Sequence, residues 1–349
     1  MWTGQARIPG GLAVRRCSLF WLSLGLLAGC PLAGAPVNAG LDEEEGDDPG
    51  ECVDDRDNDG DLLVDCEDPG CALSTVCEEQ DTGDTGTEAN PWRGITAGLD
   101  HSCGVTPSQR VECWGRNQFE QSTAAEGTHL QVSAGMLHTC SVDTVSGLHC
   151  WGSNDSGQTV IPEGTWDHVS AGGRHTCAVS TSGEVQCWGL DTDGQCQAPE
   201  GTFHAVSSGY SFSCGLKING TLDCWGYGDE GQTLVPDTLF VQVSTGLNHA
   251  CGLDIDGAAW CWGADDHGQS SAPQGVFKAI TAGEFHACAL TSENEVVCWG
   301  EDNHGQSSPP GDTFTALSAG SRHTCGILEA GTLKCWGENV YGQSTAPAW

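Results

Sequence analysis

The sequence predicts an all-β fold, a seven-bladed β-propeller whose short blades have three to four strands. The first observation is a cysteine pair that recurs seven times, with nine residues inside each pair and 37 residues from one pair to the next. The second is the absence of any window that supports a helix of ten residues, since apolar residues alternate in short runs bounded by Gly, Ser and Pro. Such sequential antiparallel units bury their faces best by closing into a ring.

Each unit begins with a bulky residue and contains two predicted strands around its cysteines. The opening residue is aromatic in six units and His129 in the second; the aromatic ones are Trp92, Trp166, Phe203, Phe240, Phe277 and Phe314. In the third unit, the alternating runs Cys177–Val179 and Val185–Trp188 are typical of strands. The sixth residue after the first cysteine accepts a positive φ in the last five units, which predicts a hairpin turn at Gly183, Gly220, Gly257, Asn294 and Gly331.

The hairpin predicts one disulfide per unit. Counting outward from Ser182 places Cys177 opposite Cys187, where the Cα atoms of an antiparallel pair lie roughly 4.5 to 5.5 Å apart. A bulge at the turn would shift this register by one residue. A zinc site per unit is the alternative, but the spacing lacks the close cysteine pairs of structural zinc modules. The predicted pairs are Cys103/Cys113, Cys140/Cys150, Cys177/Cys187, Cys214/Cys224, Cys251/Cys261, Cys288/Cys298 and Cys325/Cys335.

Histidine and tryptophan recur at fixed positions of the units. Six units place His two residues before the first cysteine, and all seven place Trp directly after the second. A metal or catalytic role for the histidines is the alternative to a structural one. In a ring, each histidine lies in its own blade, so we expect them to satisfy local polar groups and the tryptophans to pack within or between blades.

The elements Ala-Gly-x-x-His-Thr-Cys and Cys-Trp-Gly-x-Asn-x-x-Gly-Gln resemble the repeats of the regulator of chromosome condensation family. The short units are most similar to its bacterial branch, which includes β-lactamase inhibitor protein II. The resemblance covers about residues 92 to 349 and implies a seven-bladed propeller. Three positions depart from the pattern, namely Phe212 in place of His, Gly228 in place of Asn or Asp, and Glu120 in place of Gly.

Residues 1–29 resemble a bacterial lipoprotein signal peptide. Three arginines precede an apolar stretch from Ser18 to Leu27, which is too short for a membrane span. The following Leu27-Ala28-Gly29-Cys30 resembles a lipobox, which implies that Cys30 is the lipidated first residue of the mature protein. Pro31 rather than aspartate follows it, so the expected location is the outer membrane of a Gram-negative cell, on its periplasmic side or at the cell surface. Export into an oxidising compartment also explains the cysteines.

Residues 30–91 form an acidic linker between the signal peptide and the repeats. From residue 40 to 90 there are 20 acidic residues against Arg56 alone, which predicts a disordered stalk. Its segment 51–77 resembles the Asp-rich calcium modules of secreted bacterial proteins. The oxygen-bearing residues suited to Ca²⁺ are Asp55, Asp57, Asp59, Asp61 and Asp65. A solvated acidic linker with incidental disulfides is the alternative, and no cofactor is required for the propeller.

The positions that vary between units predict the binding surface. The loop before each histidine and the loop after each tryptophan are expected on one face, with the cysteine-to-cysteine turn on the other. Aromatic, Met and Arg residues are enriched at interfaces. The candidate binding residues on this face are Met136, Arg174, Tyr210, Tyr227, Phe285, Arg322 and Tyr341; ordinary loop variability is the alternative.

These features predict an exported, lipid-anchored scaffold that binds a protein or a glycan at the cell surface. An exported enzyme or an enzyme inhibitor is the alternative, but no nucleophile elbow, phosphate loop or close metal-ligand cluster supports catalysis. Nucleotide exchange on a GTPase, as in eukaryotic relatives, conflicts with export. Nucleic acid is disfavoured because residues 91–349 carry 28 acidic against 8 basic residues. Cys196 is the one cysteine expected to remain a free thiol or to link two molecules.

Overall fold

The computed structural model describes residues 92–347, which form seven antiparallel sheets of three strands each. Each sheet is one sequence unit, and its strands lie in chain order, so both connections within a blade are hairpins. The predicted seven-bladed all-β fold is confirmed, with the smaller of the two strand numbers. Within residues 92–347 no helix has the length and apolar character needed to cross a membrane.

The blades are numbered in chain order and have nearly identical strand lengths. Blade 1 contains β1 (Gly94–Ala97), β2 (His101–Val105) and β3 (Val111–Gly115); blade 2 contains β4 (His129–Ala134), β5 (His138–Asp143) and β6 (Leu148–Gly152). Blade 3 contains β7 (Trp166–Ala171), β8 (His175–Ser180) and β9 (Val185–Gly189); blade 4 contains β10 (Phe203–Ser208), β11 (Phe212–Lys217) and β12 (Leu222–Gly226). Blade 5 contains β13 (Phe240–Thr245), β14 (His249–Asp254) and β15 (Ala259–Gly263). Blade 6 contains β16 (Phe277–Ala282), β17 (His286–Thr291) and β18 (Val296–Gly300); blade 7 contains β19 (Phe314–Ala319), β20 (His323–Leu328) and β21 (Leu333–Gly337).

A disulfide joins the second and third strands of every blade, as predicted. In each blade the two cysteines are directly opposite each other, so the bulge that would have shifted the register is absent from all seven hairpins of the described residues. The bonded pairs are Cys103–Cys113, Cys140–Cys150, Cys177–Cys187, Cys214–Cys224, Cys251–Cys261, Cys288–Cys298 and Cys325–Cys335.

The expected separation of the bridged cysteines was wrong. Their Cα atoms are 4.0 to 4.1 Å apart in all seven pairs, closer than the 4.5 Å lower limit expected from an unbridged antiparallel ladder. The seven pairs lie at the narrow end of the antiparallel range, where non-hydrogen-bonded residues face each other about 4.5 Å apart. Each disulfide therefore links the second and third strands of its blade across a short distance.

The two cysteines of a pair differ in burial. The first cysteine of each pair lies on the middle strand and is completely buried. The second lies on the outer strand of the blade and is only half-buried, because no further strand of that blade covers it. The half-buried cysteines are Cys113, Cys150, Cys187, Cys224, Cys261, Cys298 and Cys335.

The hairpin turns adopt the predicted left-handed backbone. The turn residues of the last five blades have φ between 68° and 86°. The first two blades have the same conformation without glycine, with φ of 63° at Gln109 and 64° at Ser146. Blades 1 and 2 therefore carry a backbone conformation that the sequence did not reveal, since Gln and Ser adopt positive φ less readily than Gly or Asn.

The first strands of the blades surround the central axis. A Ser or Thr hydroxyl on each first strand accepts a hydrogen bond from a backbone N–H of an adjacent blade, at 2.9 to 3.0 Å. These seven bonds form a continuous ring around the axis. The hydroxyls belong to Thr96, Ser133, Ser170, Ser207, Ser244, Thr281 and Ser318.

The ring closes between blade 7 and blade 1 with the contacts used at other interfaces. Ala97 N–H donates to Ser318 Oγ at 2.9 Å, and Trp114 Nε1 donates to the Gln343 carbonyl at 2.8 Å. Ser321 N–H donates to the Gly98 carbonyl at 3.0 Å. All three strands of blade 1 and of blade 7 come from their own unit. Closure therefore uses hydrogen bonds between two complete blades rather than a shared blade.

The hydrophobic core lies between neighbouring blades. At the interface of blades 4 and 5, the buried side chains of Phe212, Leu216, Phe240 and Trp262 form one cluster. Within blade 5 the ring centroids of Phe240 and Trp262 are 5.7 Å apart. The recurring opening aromatics and tryptophans thus pack the blades against each other, as predicted.

Candidate functional site

The recurring histidines join neighbouring blades. In the interface between blades 2 and 3, His138 Nε2 lies 2.9 Å from Thr176 Oγ1, which donates to the Gln158 carbonyl at 2.9 Å. Trp188 Nε1 donates to the same carbonyl at 2.9 Å. Because the hydroxyl proton goes to the carbonyl, the imidazole donates from Nε2. The seven tryptophans that follow the second cysteine of each unit all make the equivalent bond to a glutamine carbonyl.

These contacts make the histidines part of the scaffold. Burial lowers the pKa of His101, His138 and His286 to about 3 and that of His175, His249 and His323 to about 4. The rings are therefore neutral at physiological pH. Among residues 92–347 no group of three or more His, Cys, Asp or Glu side chains could hold a metal ion. The sequence alone did not identify the glutamine carbonyl as the acceptor for the hydroxyl and the tryptophan, although the recurrence of Gln in every unit indicated a structural role.

The predicted disulfide cysteines also belong to the scaffold rather than to a binding site. All fourteen are committed to S–S bonds, so the alternative of a zinc site in each unit is wrong. None of them lines the depression described below, including the partly exposed Cys113, Cys150, Cys261, Cys298 and Cys335. Their contribution to binding is therefore indirect, because they fix the hairpins that carry the loops.

Two of the seven interfaces lack the histidine bond. Between blades 4 and 5, Phe212 replaces the histidine and Ala250 replaces the hydroxyl residue, so both partners have become apolar. Between blades 5 and 6, His249 is kept, but its partner position is Ala287. The ring of buried His249 lies near the backbone of His286, but the two do not form a hydrogen bond of normal geometry. Neither ring nitrogen of His249 therefore has a hydrogen-bond partner among the described residues.

The two variable loops of each blade lie at the same end. In blade 4, Tyr227 N–H, just after the third strand, donates to the Ser211 carbonyl just before the second, at 2.9 Å. The other six blades have the equivalent bond at 2.8 to 2.9 Å. The candidate residues therefore share one end of the propeller, which we call the loop face.

The loop face also has a ring of backbone bonds around the axis, and this ring is interrupted at two neighbouring interfaces, between blades 4 and 5 and between blades 5 and 6. At five interfaces, the residue after each Ala-Gly-type turn donates its N–H to a turn-glycine carbonyl of the adjacent blade, at 3.0 to 3.2 Å. The donors are Leu99, Met136, Gly173, Glu284 and Ser321. Leu247 instead reaches the carbonyl of Glu284, at 3.4 Å. Among residues 92–347, Tyr210 N–H and the carbonyls of Gly246 and Gly283 have no hydrogen-bond partner.

The loop after the third strand is also different in blade 4. In the other six blades an Asn or Asp side chain braces this loop by accepting a hydrogen bond from the N–H five residues on, at 2.8 to 3.1 Å. Blade 4 has Gly228 there and lacks the brace. The interface of blades 4 and 5 therefore combines three departures from the repeat, at Tyr210, Phe212 and Gly228. We call it the seam.

A depression of about 500 Å³ opens on the loop face at the seam. Two tyrosines, a methionine and a leucine provide its apolar lining, and two carboxylates provide charge. The lining residues used below are Met136, Asp193, Tyr210, Tyr227, Leu247 and Glu284. Met136, Tyr210, Leu247 and Glu284 also line the mouth of the central axis, so the seam depression is continuous with it.

The structure brings together three of the seven candidate binding residues, Met136, Tyr210 and Tyr227. Arg174 and Arg322 are exposed on other blades. Phe285 packs on His267, with ring centroids 4.9 Å apart. Tyr341 lies under Arg116, whose guanidinium is 5.2 Å from the ring centroid. Asp193 and Glu284 were missed because the candidates were chosen among aromatic, Met and Arg residues, although Glu284 occupies the same repeat position as Met136 and Tyr210.

The electrostatic environment of the depression is acidic. The pKa of Tyr227 is raised by desolvation and by the carboxylates of Asp229, Glu230 and Asp193. Glu284 accepts a hydrogen bond from Ser321 Oγ, which orients its carboxylate. A ligand that enters the depression therefore meets negative charge and aromatic rings together.

Several predicted sites lie outside the described residues. They are the lipidation site Cys30 and the calcium ligands Asp55, Asp57, Asp59, Asp61 and Asp65, which remain predictions. Cys196 is described, and it is a free, half-buried thiol. Burial and the nearby Asp191 raise its pKa to about 12, which makes it a poor nucleophile.

The family model of the regulator of chromosome condensation (RCC1) repeat matches six units, at residues 92–121, 166–195, 203–232, 240–269, 277–306 and 314–343. The chain belongs to the RCC1 repeat family. The unit that is not matched is the second, which opens with His129. No curated protein sequence matches this RCC1-repeat chain significantly.

Solved structures show the same propeller fold. The CRINKLY WD40 ectodomain of the Arabidopsis thaliana receptor kinase ACR4 is 25% identical, with 74% of this chain and 98% of that chain covered and a TM-score of 0.62. The ectodomain of the Physcomitrella patens receptor kinase CR4 is 24% identical, with coverages of 71% and 74% and a TM-score of 0.62. Yeast RCC1 (Prp20), solved with Kap60, is 16% identical, with coverages of 75% and 83% and a TM-score of 0.59.

Proposed function

We propose that this RCC1-repeat protein is an exported, lipid-anchored interaction scaffold whose loop face binds a protein or a glycan. The seam depression is the observation that carries the proposal. Its apolar lining includes Tyr210, 42% exposed, and it lies where the chain departs from its own repeat. In a repeat protein the periodic positions build the scaffold, so positions that break the period are free to serve binding.

Exposed aromatic and methionine side chains beside polar groups are typical of binding surfaces. A receptor-kinase ectodomain shares the fold at 25% identity, which supports a propeller that works outside the cytoplasm. Yeast RCC1 (Prp20), which has the same fold, was solved with Kap60 bound, which supports a protein as the partner. The lipobox-like residues before Cys30 support anchoring to the outer membrane.

The test is affinity capture from a cell-surface extract of the source organism with the immobilised protein. Tyr210→Ala combined with Tyr227→Ala should abolish capture of the native partner. The matched control is Val145→Ala with Ile218→Ala, which removes apolar side chains 80% and 73% exposed on the turns at the opposite end of the blades. Loss of the partner with the control pair and retention with the tyrosine pair would contradict the proposal.

Anchoring has its own test. Cells that express the full chain and are fed a labelled fatty acid should incorporate the label into the wild-type protein and not into a Cys30→Ser variant. Equal labelling of the two proteins would contradict lipidation at this residue.

A further inference from the structure

We infer that the seam depression binds a lysine or arginine side chain of a partner protein. This rests on the proposed binding role of the loop face and adds the chemical class of the group that is recognised. Three features of the depression carry the inference: its hydrogen-bond acceptors, its aromatic rings, and an equivalent arrangement that the chain forms elsewhere on the same face.

The depression is rich in hydrogen-bond acceptors. The carboxylates of Asp193 and Glu284 line it. The carbonyls of Gly246 and Gly283 lie in the adjoining axial mouth and have no donor among residues 92–347. Tyr210 N–H is the one unpaired backbone donor of the broken ring, among the residues that the structure describes. Ammonium and guanidinium groups are donors only, so they match such a surface better than a carboxylate or phosphate does.

The aromatic rings suit the same ligand. Tyr210 and Tyr227 line the depression from two loops of blade 4, and Met136 and Leu247 add apolar surface. A cation over the face of a tyrosine is attracted by the ring quadrupole, and the methylene stem of lysine or arginine packs against apolar side chains. Neither Arg174 nor Arg322 lines the depression, so no arginine of the described residues occupies this place.

The chain already holds one cation in this way on the loop face. The Arg116 guanidinium lies 5.2 Å from the centroid of the Tyr341 ring, and its Nη1 is 2.9 Å from Asp100 Oδ2. A tyrosine ring and a carboxylate therefore share one guanidinium across the junction of blades 7 and 1. The seam depression has tyrosines and carboxylates, and its described lining contains no lysine or arginine between them.

Overall charge favours the same partner. Residues 91–349 carry 28 acidic against 8 basic residues. An acidic surface raises the encounter rate with a basic patch of a partner and repels acidic ones. The expected partner surface therefore presents a protruding lysine or arginine within a basic patch.

The tyrosines provide the experiment, because the whole chain contains only three. The intact protein is labelled with ¹³C in its tyrosine rings. It is then titrated with Nα-acetyl-lysine methylamide, Nα-acetyl-arginine methylamide and the uncharged Nα-acetyl-norleucine methylamide. The lysine and arginine probes should shift the ring signals of Tyr210 and Tyr227 saturably. The Tyr341 signal should move little because Arg116 already covers that ring, and the norleucine probe should leave all three signals in place.

Two variants sharpen the result. Glu284→Gln keeps an acceptor for Ser321 but removes the charge, and should weaken binding of the lysine probe about three-fold. Glu163→Gln makes the same charge change at an exposed residue outside the depression and should leave the affinity unchanged.

Three results would overturn the inference: equal shifts with norleucine, equal movement of all three tyrosine signals, or no saturable response to the lysine and arginine probes. The proposed function is judged separately, by partner capture with the Tyr210→Ala/Tyr227→Ala protein. If the double-tyrosine variant loses the partner but the titration fails, the loop face remains the proposed binding surface and the lysine or arginine ligand is rejected.

Discussion

Replacing His249 by phenylalanine should stabilise the propeller. His249 is buried against Ala287, and neither of its ring nitrogens has a partner among the described residues. The neighbouring interface shows the apolar solution, because Phe212 occupies the equivalent position and faces Ala250. An ideal Cβ on Gly209 would lie 2.5 Å from the Phe212 ring, and one on Gly246 would lie 2.4 Å from the His249 ring. The two rings therefore occupy similarly close-fitting pockets.

The expected gain has a neutral and an acidic part. An unsatisfied buried polar group costs about 1–3 kcal/mol, so His249→Phe should raise the free energy of unfolding by about that amount at pH 7. Burial lowers the pKa of His249 from 6.5 to about 4. Because folding lowers the pKa of His249, protons bind mainly to the unfolded chain between pH 6.5 and pH 4. The wild-type free energy of unfolding is therefore highest above pH 6.5 and decreases as the pH falls towards 4. At pH 5 the wild-type ring costs about a further 2 kcal/mol that phenylalanine avoids.

The assay is urea unfolding followed by tryptophan fluorescence at pH 7 and pH 5, with the disulfides intact. The control is His286→Phe, which removes a side chain whose Nε2 lies 2.8 Å from Thr324 Oγ1. Both variants should gain relative to wild type on going from pH 7 to pH 5, but His249→Phe should be the more stable by about 1 kcal/mol at pH 7. A His249→Phe protein that is less stable than wild type at pH 7, or that shows the wild-type pH dependence, would refute the reasoning.

Three further predictions concern the whole scaffold and its acidic segment. Thermal unfolding of the wild-type protein should move to lower temperature between pH 6.5 and pH 4, because the six recurring histidines, with folded-state pKa values lowered to about 3 or 4, stay neutral in the folded protein and are protonated in the unfolded chain; an unchanged midpoint at pH 5 would contradict this. Cys177→Ala with Cys187→Ala should lower the free energy of unfolding by about 2–3 kcal/mol in urea while far-ultraviolet circular dichroism keeps its β signature. Calorimetric titration with Ca²⁺ should give heat for the intact protein and none for Asp55→Asn/Asp57→Asn; absence of heat in the wild type would remove the predicted site.

Features that depend on one unit were predictable from the sequence. Each disulfide lies within a hairpin, and its register follows from the position of the turn, so the cysteine period was enough to predict Cys177 opposite Cys187. The number of blades follows from the number of units. The positive φ of Gly183 was visible because glycine favours it, whereas Gln109 and Ser146 adopt it without that signal.

Features that depend on two units were only partly predictable. The bond between His138 and Thr176 joins residues 38 apart, and it is found only when blades are placed side by side. The same holds for the Gln158 carbonyl, which accepts from two residues of the next blade. The breaks at Phe212 and Gly228 were visible as departures from the repeat. That they lie at the same interface as the unpaired Tyr210 amide could be seen only in the closed ring.

Amide hydrogen exchange at the axial mouth tests the central claim most directly, namely that the ring is closed and is interrupted at the seam. The Ser321 amide, which donates to Gly98 across the closure, should be protected together with those of Met136 and Gly173. The Tyr210 amide, unpaired within the described residues, should exchange much faster than these three. Fast exchange at Ser321 would contradict closure, and protection at Tyr210 equal to that at Met136 would contradict the seam.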